Sequence, residues 1–234
     1  MRTSTKYAKH GFRWALVCPG LTGSLTKKSS LDDLAGVLRE QGYSSLRLDY
    51  RRSLHTSDAR TVRTMKSMLE GVKTGISLVS SKAKRQPNVI IGRGLGARLT
   101  LEALRGLPDV PLVMWTPIMW LRTSLEIRYR LHEIRREGFT VFDNTKVGAR
   151  FVEALRDPTD AEIKSWIAPK RRHVIVYAEE DKVVPFRLVK EVGELIKAAG
   201  GKVEMVAAPG EHPHPDKEVS PQIARIVGIV STIS

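Results

Sequence analysis

The chain carries a single cysteine, Cys18, among 234 residues, which excludes an intrachain disulfide. Its place in the apolar run Trp14-Ala15-Leu16-Val17-Cys18 reads as a buried small hydrophobe rather than a reactive thiol. No apolar run approaches the ~18 residues of a membrane span, and the basic stretch Met1–Phe12 has no apolar signal core. A soluble, cytoplasmic protein is the expectation. Internal repeats and low-complexity tracts are also missing, so a solenoid is not expected. Aromatic residues make up only 6% of the chain and do not interleave with basic clusters such as Lys27-Lys28, Lys82-Ala83-Lys84-Arg85 and Lys170-Arg171-Arg172. Helix-turn-helix, zinc-finger and RNP patterns are absent too. Nucleic acid is therefore not the expected partner.

Positive charge, by contrast, is plentiful. A formal charge of +14 favours anionic partners electrostatically. With 41% hydrophobic residues the chain can bury a sizeable core, and its length fits one domain over residues 1–234. Apolar β-rich runs alternate with amphipathic stretches, the pattern of a mostly parallel sheet with helices on both faces. The runs are Trp14–Cys18, Ser45–Asp49, Asn88–Ile91, Leu112–Trp115, His173–Ala178 and Lys202–Ala207. Between them, Leu31, Leu34, Ala35 and Leu38 mark a first helix. Met65, Met68, Leu69, Val72, Ile76 and Val79 recur at helical spacing and read as core. Leu188, Val192, Leu195 and Ile196 mark a later helix, and Ser220-Pro221 opens a last one. One interval breaks the rhythm: about residues 118–170 exceed what one crossover needs. It holds a basic helical stretch, Leu121–Arg136, and reads as a small helical cap over the carboxyl edge of the sheet.

The most telling stretch is Gly92-Arg93-Gly94-Leu95-Gly96-Ala97, between the third apolar run and a helical pattern. Strand, glycine-rich turn and helix in that order have the form of a nucleophile elbow, G-x-S-x-G. The same glycines also fit G-x-G-x-x-A, a relaxed dinucleotide fingerprint. That pattern belongs in the first βα unit and needs an acidic residue ending the next strand, which here ends Trp115-Thr116-Pro117. The match reads as accidental. Three more features sit in order at strand ends: Pro19-Gly20-Leu21-Thr22-Gly23, then Tyr177–Pro185, then Pro209-Gly210-Glu211-His212-Pro213-His214.

Taken together these residues resemble the α/β-hydrolase superfamily, in particular small bacterial esterase- or thioesterase-like acyl hydrolases, over about residues 13–230. The resemblance implies a three-layer sheet of about six strands in the order 2-1-3-4-5-6. It also implies that two N-terminal strands usual in the superfamily are missing, since little chain precedes Trp14. Carried across, Gly94 takes the nucleophile position, Asp181 that of the triad acid and His212 that of the triad base. Leu21 and Leu95 would offer backbone N–H groups to an oxyanion. His214 is a rival base, and His212, His214 and Asp216 form a rival metal set that no other ligand cluster joins. No metal or cofactor is expected.

The departure from the pattern lies at Gly94. Acyl transfer needs a hydroxyl or thiol at the elbow tip, and Arg93, Leu95 and Ala97 are not nucleophiles. The chain therefore reads as an esterase-like scaffold without serine-dependent hydrolysis. Two other readings stand beside it: a hydrolase or lyase in which an Asp181/His212 dyad acts non-covalently, and a module that binds an anionic ligand or a protein. Arg93 and Arg51, with Arg52, map to the same sheet edge, and the cap adds Arg122, Arg128 and Arg130. A small acyl or anionic molecule is the expected ligand. Oligomeric state is not legible.

Overall fold

Alternation with a period of two runs through every central strand and sorts the core into two layers. In the computed structural model, which describes residues 4–8, 11–20, 30–49, 65–107, 109–128, 136, 139–142, 145–148, 156–210 and 226, the strands are buried on both faces. Leu16 and Cys18 of β2 (Arg13–Cys18) face one way, while Ala15 and Val17 face the other. Ile90 against Val89 and Ile91 of β4 (Val89–Arg93), and Met114 against Val113 and Trp115 of β5 (Leu112–Trp115), repeat the split. Such two-sided burial requires helices on both faces.

They are present. One face carries α2 (Met65–Ala83), α3 (Leu95–Ala103), α5 (Asp160–Trp166) and α6 (Phe186–Ala198), which contribute Val72, Leu99, Ile163 and Val192 to its core. The other is covered by α1 (Ser30–Glu40) through Leu34, Val37 and Leu38, and by Ile226, which is helical and buried.

The remaining strands of this sheet are β1 (Ser4–Ala8), β3 (Tyr43–Asp49), β8 (Arg172–Tyr177) and β9 (Lys202–Ala207). The sheet order is β1-β3-β2-β4-β5-β8-β9, and every pair but β1–β3 is parallel. The six parallel strands thus have the expected order, 2-1-3-4-5-6. The first strand corrects one expectation, since the N-terminal region is not without sheet. Ser4–Ala8 adds antiparallel to β3, with Ser4 opposite Asp49 and Ala8 opposite Ser45. An edge strand needs main-chain pairing more than an apolar face, so the polar sequence Ser-Thr-Lys-Tyr-Ala gave little sign of it.

The interval after β5 is not purely helical. Behind α4 (Leu121–Arg128) lies an antiparallel ribbon, β6 (Phe139–Phe142) with β7 (Thr145–Gly148). Thr140, Val141, Thr145 and Val147 are β-branched, and only two residues join the strands, a hairpin signal that the sequence reading missed. Helix α5 opens on a capping box: Thr159 accepts from the Glu162 amide, and Glu162 accepts from the Thr159 amide.

Candidate functional site at the carboxyl edge of the sheet

Gly94 joins β4 to α3 with φ 52° and ψ −120°, the sharp strand-to-helix turn that an elbow requires. Its two neighbouring glycines are fixed by sterics. A Cβ on Gly92 would stand 2.5 Å from the Ala97 Cα, and one on Gly96 2.3 Å from the Pro19 carbonyl oxygen. Both are backbone atoms with nowhere to go. Position 94 differs. A Cβ there would meet only Ile118 Cδ1 at 3.6 Å and Gly20 Cα at 3.8 Å, ordinary contact distances. The turn therefore keeps the space for a side chain and lacks the side chain.

The elbow is bonded to the strand beside it. The Gly94 amide donates to the Trp115 carbonyl (2.9 Å), and the Gly94 carbonyl accepts from the amides of Ala97 and Ile118 (3.1 Å each). Leu95 is the first residue of α3, so its N–H has no acceptor within the helix. Gly20, at the carboxyl end of β2, packs against the elbow. Leu21, the other expected oxyanion donor, follows it but lies outside the described residues.

Asp181 is buried in the loop after β8, at the same sheet edge. One carboxylate oxygen accepts from the amides of Val183 (2.7 Å) and Val184 (2.8 Å), which fixes the side chain within its own loop. The loop is braced at both ends: Tyr177 ending β8 stacks on Phe186 opening α6, with ring centroids 4.7 Å apart. Val184 is buried behind it. The elbow and the acid loop therefore stand two strands apart in the sheet, at the ends of β4 and β8 with β5 between. His212, His214, Asp216 and Arg51 lie outside the described residues. Arg93 is half-buried at the end of β4. Among the described residues, no group of three His, Cys, Asp or Glu side chains could hold a metal, and no helix is long and apolar enough to cross a membrane.

Two features were not read from the sequence. Thr116, directly after β5 and beside the elbow, has φ 42°, a conformation that β-branched residues avoid. Its hydroxyl is buried without a hydrogen-bond partner. Arg98, one turn into α3, is buried, and loss of hydration holds its pKa below the ordinary arginine value. Nothing in an i, i+3, i+4 pattern distinguishes a buried arginine from an exposed one. A cavity of about 550 Å³ lies at the other edge of the sheet, lined by Lys73, Ile76, Ser77, Gln86, Ala103 and Arg105, and does not coincide with the elbow.

No family model and no curated protein matches the sequence. Solved structures do match the fold. Est1E from Butyrivibrio proteoclasticus with ferulic acid bound is 14% identical, with TM-score 0.72, 98% of this chain and 96% of that one covered. The esterase Pf2001 of Pyrococcus furiosus is 13% identical, with TM-score 0.73 over 98% and 85% of the two chains. Mouse alpha/beta hydrolase domain-containing protein 10 is 14% identical, with TM-score 0.68 over 99% and 95%. The chain has the α/β-hydrolase fold.

Proposed function

We propose that this α/β-hydrolase-fold protein binds a small acyl or anionic molecule at the elbow and lacks serine-dependent acyl-enzyme chemistry. The observation that carries the reading is the contrast among three glycines: Gly92 and Gly96 are demanded by backbone contacts, whereas Gly94 occupies a turn with room for a nucleophile. The fold supports an esterase-like ancestry. It cannot supply a missing hydroxyl, and removing a nucleophile leaves only ~10³–10⁴-fold catalysis over water in well-studied proteases. The ligand's anionic group would sit near the first amides of α3, where the helix dipole favours negative charge, with Arg93 and, by its place after the second strand, Arg51 as the cations proposed to accompany it.

A fluorophosphonate probe and p-nitrophenyl esters test the reading. The wild-type chain is expected to resist labelling and to hydrolyse no ester, and stoichiometric labelling near the elbow would overturn it. Gly94→Ser is expected to gain labelling and ester hydrolysis, because on this reading Asp181, His212 and the oxyanion amides of Leu21 and Leu95 are available to the new hydroxyl. A well-folded Gly94→Ser protein that is inert to both reagents would mean that the remaining groups are not a poised hydrolase site. Ligand class is tested by thermal shift with carboxylates and phosphates. Stabilisation that weakens in Arg93→Ala supports binding at the elbow, and equal stabilisation of both proteins by every anion refutes it.

A second reading has one observation in its favour. Asp181 is held rigidly by two amides, as a carboxylate that orients a base should be. An Asp181/His212 dyad could then activate water without a covalent intermediate. Any turnover by wild type that is lost in both Asp181→Asn and His212→Ala would favour it over the binding reading.

A further inference from the structure

Residues 115–119 form an arch over the elbow. Trp115 accepts from the Gly94 amide, and Ile118 donates back to the Gly94 carbonyl, so the two bonds straddle the turn. Thr116 between them adopts φ 42° with a buried, unpartnered hydroxyl. A β-branched residue takes that conformation only when its surroundings impose it, and such strain gathers at functional sites. The arch is also what faces the empty apex, since Ile118 Cδ1 is the nearest atom to a side chain at position 94.

One residue pins the far end of the arch. Arg98 stands four residues after Gly94, one helical turn on, and its Nη1 donates to the Met119 carbonyl at 3.1 Å. Its Nη2 donates to the Arg156 carbonyl at 3.0 Å, and the Asp157 carboxylate lies 3.9 Å from Nη1. Asp157 in turn accepts from the amides of Arg122 (2.9 Å) and Thr123 (2.8 Å) and from the Thr123 hydroxyl, satisfying the first turn of α4. Met119 stands just before α4 and Arg156 just before α5, at the two ends of the stretch between them. Both ends are therefore tied to the elbow helix through a single guanidinium.

We propose that Arg98, held by Asp157, is a positioning residue that sets the arch 115–119 and with it the aliphatic wall, Ile118, of the pocket at Gly94. On the Ile118 side the group seated beside Gly94 meets hydrocarbon, so an acyl ligand turns its apolar part toward the arch and leaves its anionic group to the first amides of α3. That assignment of the occupant rests on the reading given under Proposed function, whereas the positioning of the arch does not. A buried arginine that only stabilised the fold would be replaceable by an apolar residue without selective effect on the elbow.

The test is amide hydrogen exchange followed by NMR, which needs neither ligand nor catalysis. In Arg98→Met the Ile118 and Gly94 amides are expected to exchange about tenfold faster, while Val192 and Leu195 in α6 keep wild-type rates. Arg98→Lys, which retains one cationic donor, is expected to restore part of the protection. Unchanged Ile118 exchange in folded Arg98→Met overturns the proposal. So does an equal acceleration of Ile118, Val192 and Leu195, which is the signature of general destabilisation. Should Arg98→Met not fold, Asp157→Asn decides. An increase of roughly threefold at Ile118, Arg122 and Thr123 supports the proposal, and an unchanged Ile118 rate overturns it.

Discussion

Two of the buried arginines, Arg171 and Arg98, lie at opposite edges of the sheet, and their guanidiniums serve different ends. Arg171, at the amino edge, is completely enclosed and donates to the carbonyls of Leu104 (3.0 Å), Leu107 (3.2 Å) and Trp166 (3.4 Å). Those carbonyls follow α3 and close α5, where helices leave acceptors without internal partners. The charge there completes the accounting of carbonyls. Arg98, at the carboxyl edge, binds the carbonyls of Met119 and Arg156, which belong to no helix end, and joins the segments before α4 and α5 to the elbow helix. The arginine of the amino edge thus serves helix ends, whereas the carboxyl edge keeps strain at Thr116 and room for a side chain at Gly94. The two arginines thus tie different segments to opposite ends of the same strands, and the candidate site lies at only one of them.

The largest effect should come from closing the wrong gap at the elbow. Gly96→Ala would put a methyl 2.3 Å from the Pro19 oxygen and 2.4 Å from the Cys18 oxygen, both main chain. Neither can yield without separating α3 from β2, so a loss of ~4 kcal/mol or more in urea unfolding is expected. Gly36→Ala in α1, with nothing within 4 Å, should instead be neutral or gain ~0.5–1 kcal/mol from helix propensity. Similar losses in the two variants would show that the elbow backbone can relax.

At the amino edge, Arg171→Met should cost ~3 kcal/mol by leaving buried carbonyls unpaired. The loss should appear as a uniform rise in exchange across the chain, in contrast to the local rise expected for Arg98→Met. A local rise confined to α3 would erase the distinction between the two arginines.

Acid should also find the amino edge first. His173 at the start of β8 is fully buried, and its pKa is pulled down to about 4, chiefly by loss of hydration and then by the charge of Arg171. The unfolded chain binds its proton near 6.5 and the folded one only near 4, so between these values unfolding takes up a proton. Stability is fully present above pH 6.5, falls as the pH drops through this window, and is lost by at most ~3 kcal/mol below 4. His173→Gln should flatten that slope in urea titrations at several pH values. Parallel curves for the two proteins would exclude His173 as its source.

Much of this was legible in the sequence, for reasons that individual residues make plain. The alternation of Val89, Ile90 and Ile91, buried on both faces, reports a central parallel strand. Gly92 and Gly96 report close backbone approach because no other residue fits there. Asp181 was legible as a carboxylate after the fifth parallel strand because the motif order put it there, while its burial was not. Arg98 and Thr116 were not. The burial of one and the φ of the other are imposed by partners 21 or more residues away, Met119 and Arg156, or by an elbow on the neighbouring strand. β1 was missed because an edge strand pairs through its main chain. The β6–β7 ribbon was present as β-branched pairs around a short connection and was overshadowed by the basic run before it.

The smallest loss expected is at the apex. Gly94→Ala adds a methyl that meets Ile118 and Gly20 at 3.6 and 3.8 Å, so packing contributes little in either direction. What remains is the backbone: φ 52° is costly for an L residue, and a strained position of this kind is worth ~1–3 kcal/mol. Urea unfolding should place Gly94→Ala at the lower end of that range and clearly above Gly96→Ala in stability. The comparison also controls the chemistry, because Gly94→Ala carries the Cβ of Gly94→Ser without its hydroxyl. If both fold and only the serine variant labels with fluorophosphonate, the gain belongs to the nucleophile and not to altered packing. If Gly94→Ala is as damaging as Gly96→Ala, the apex has no room for a side chain. The elbow would then be a glycine turn required by the fold, and the case for a vacated nucleophile position would fall with it.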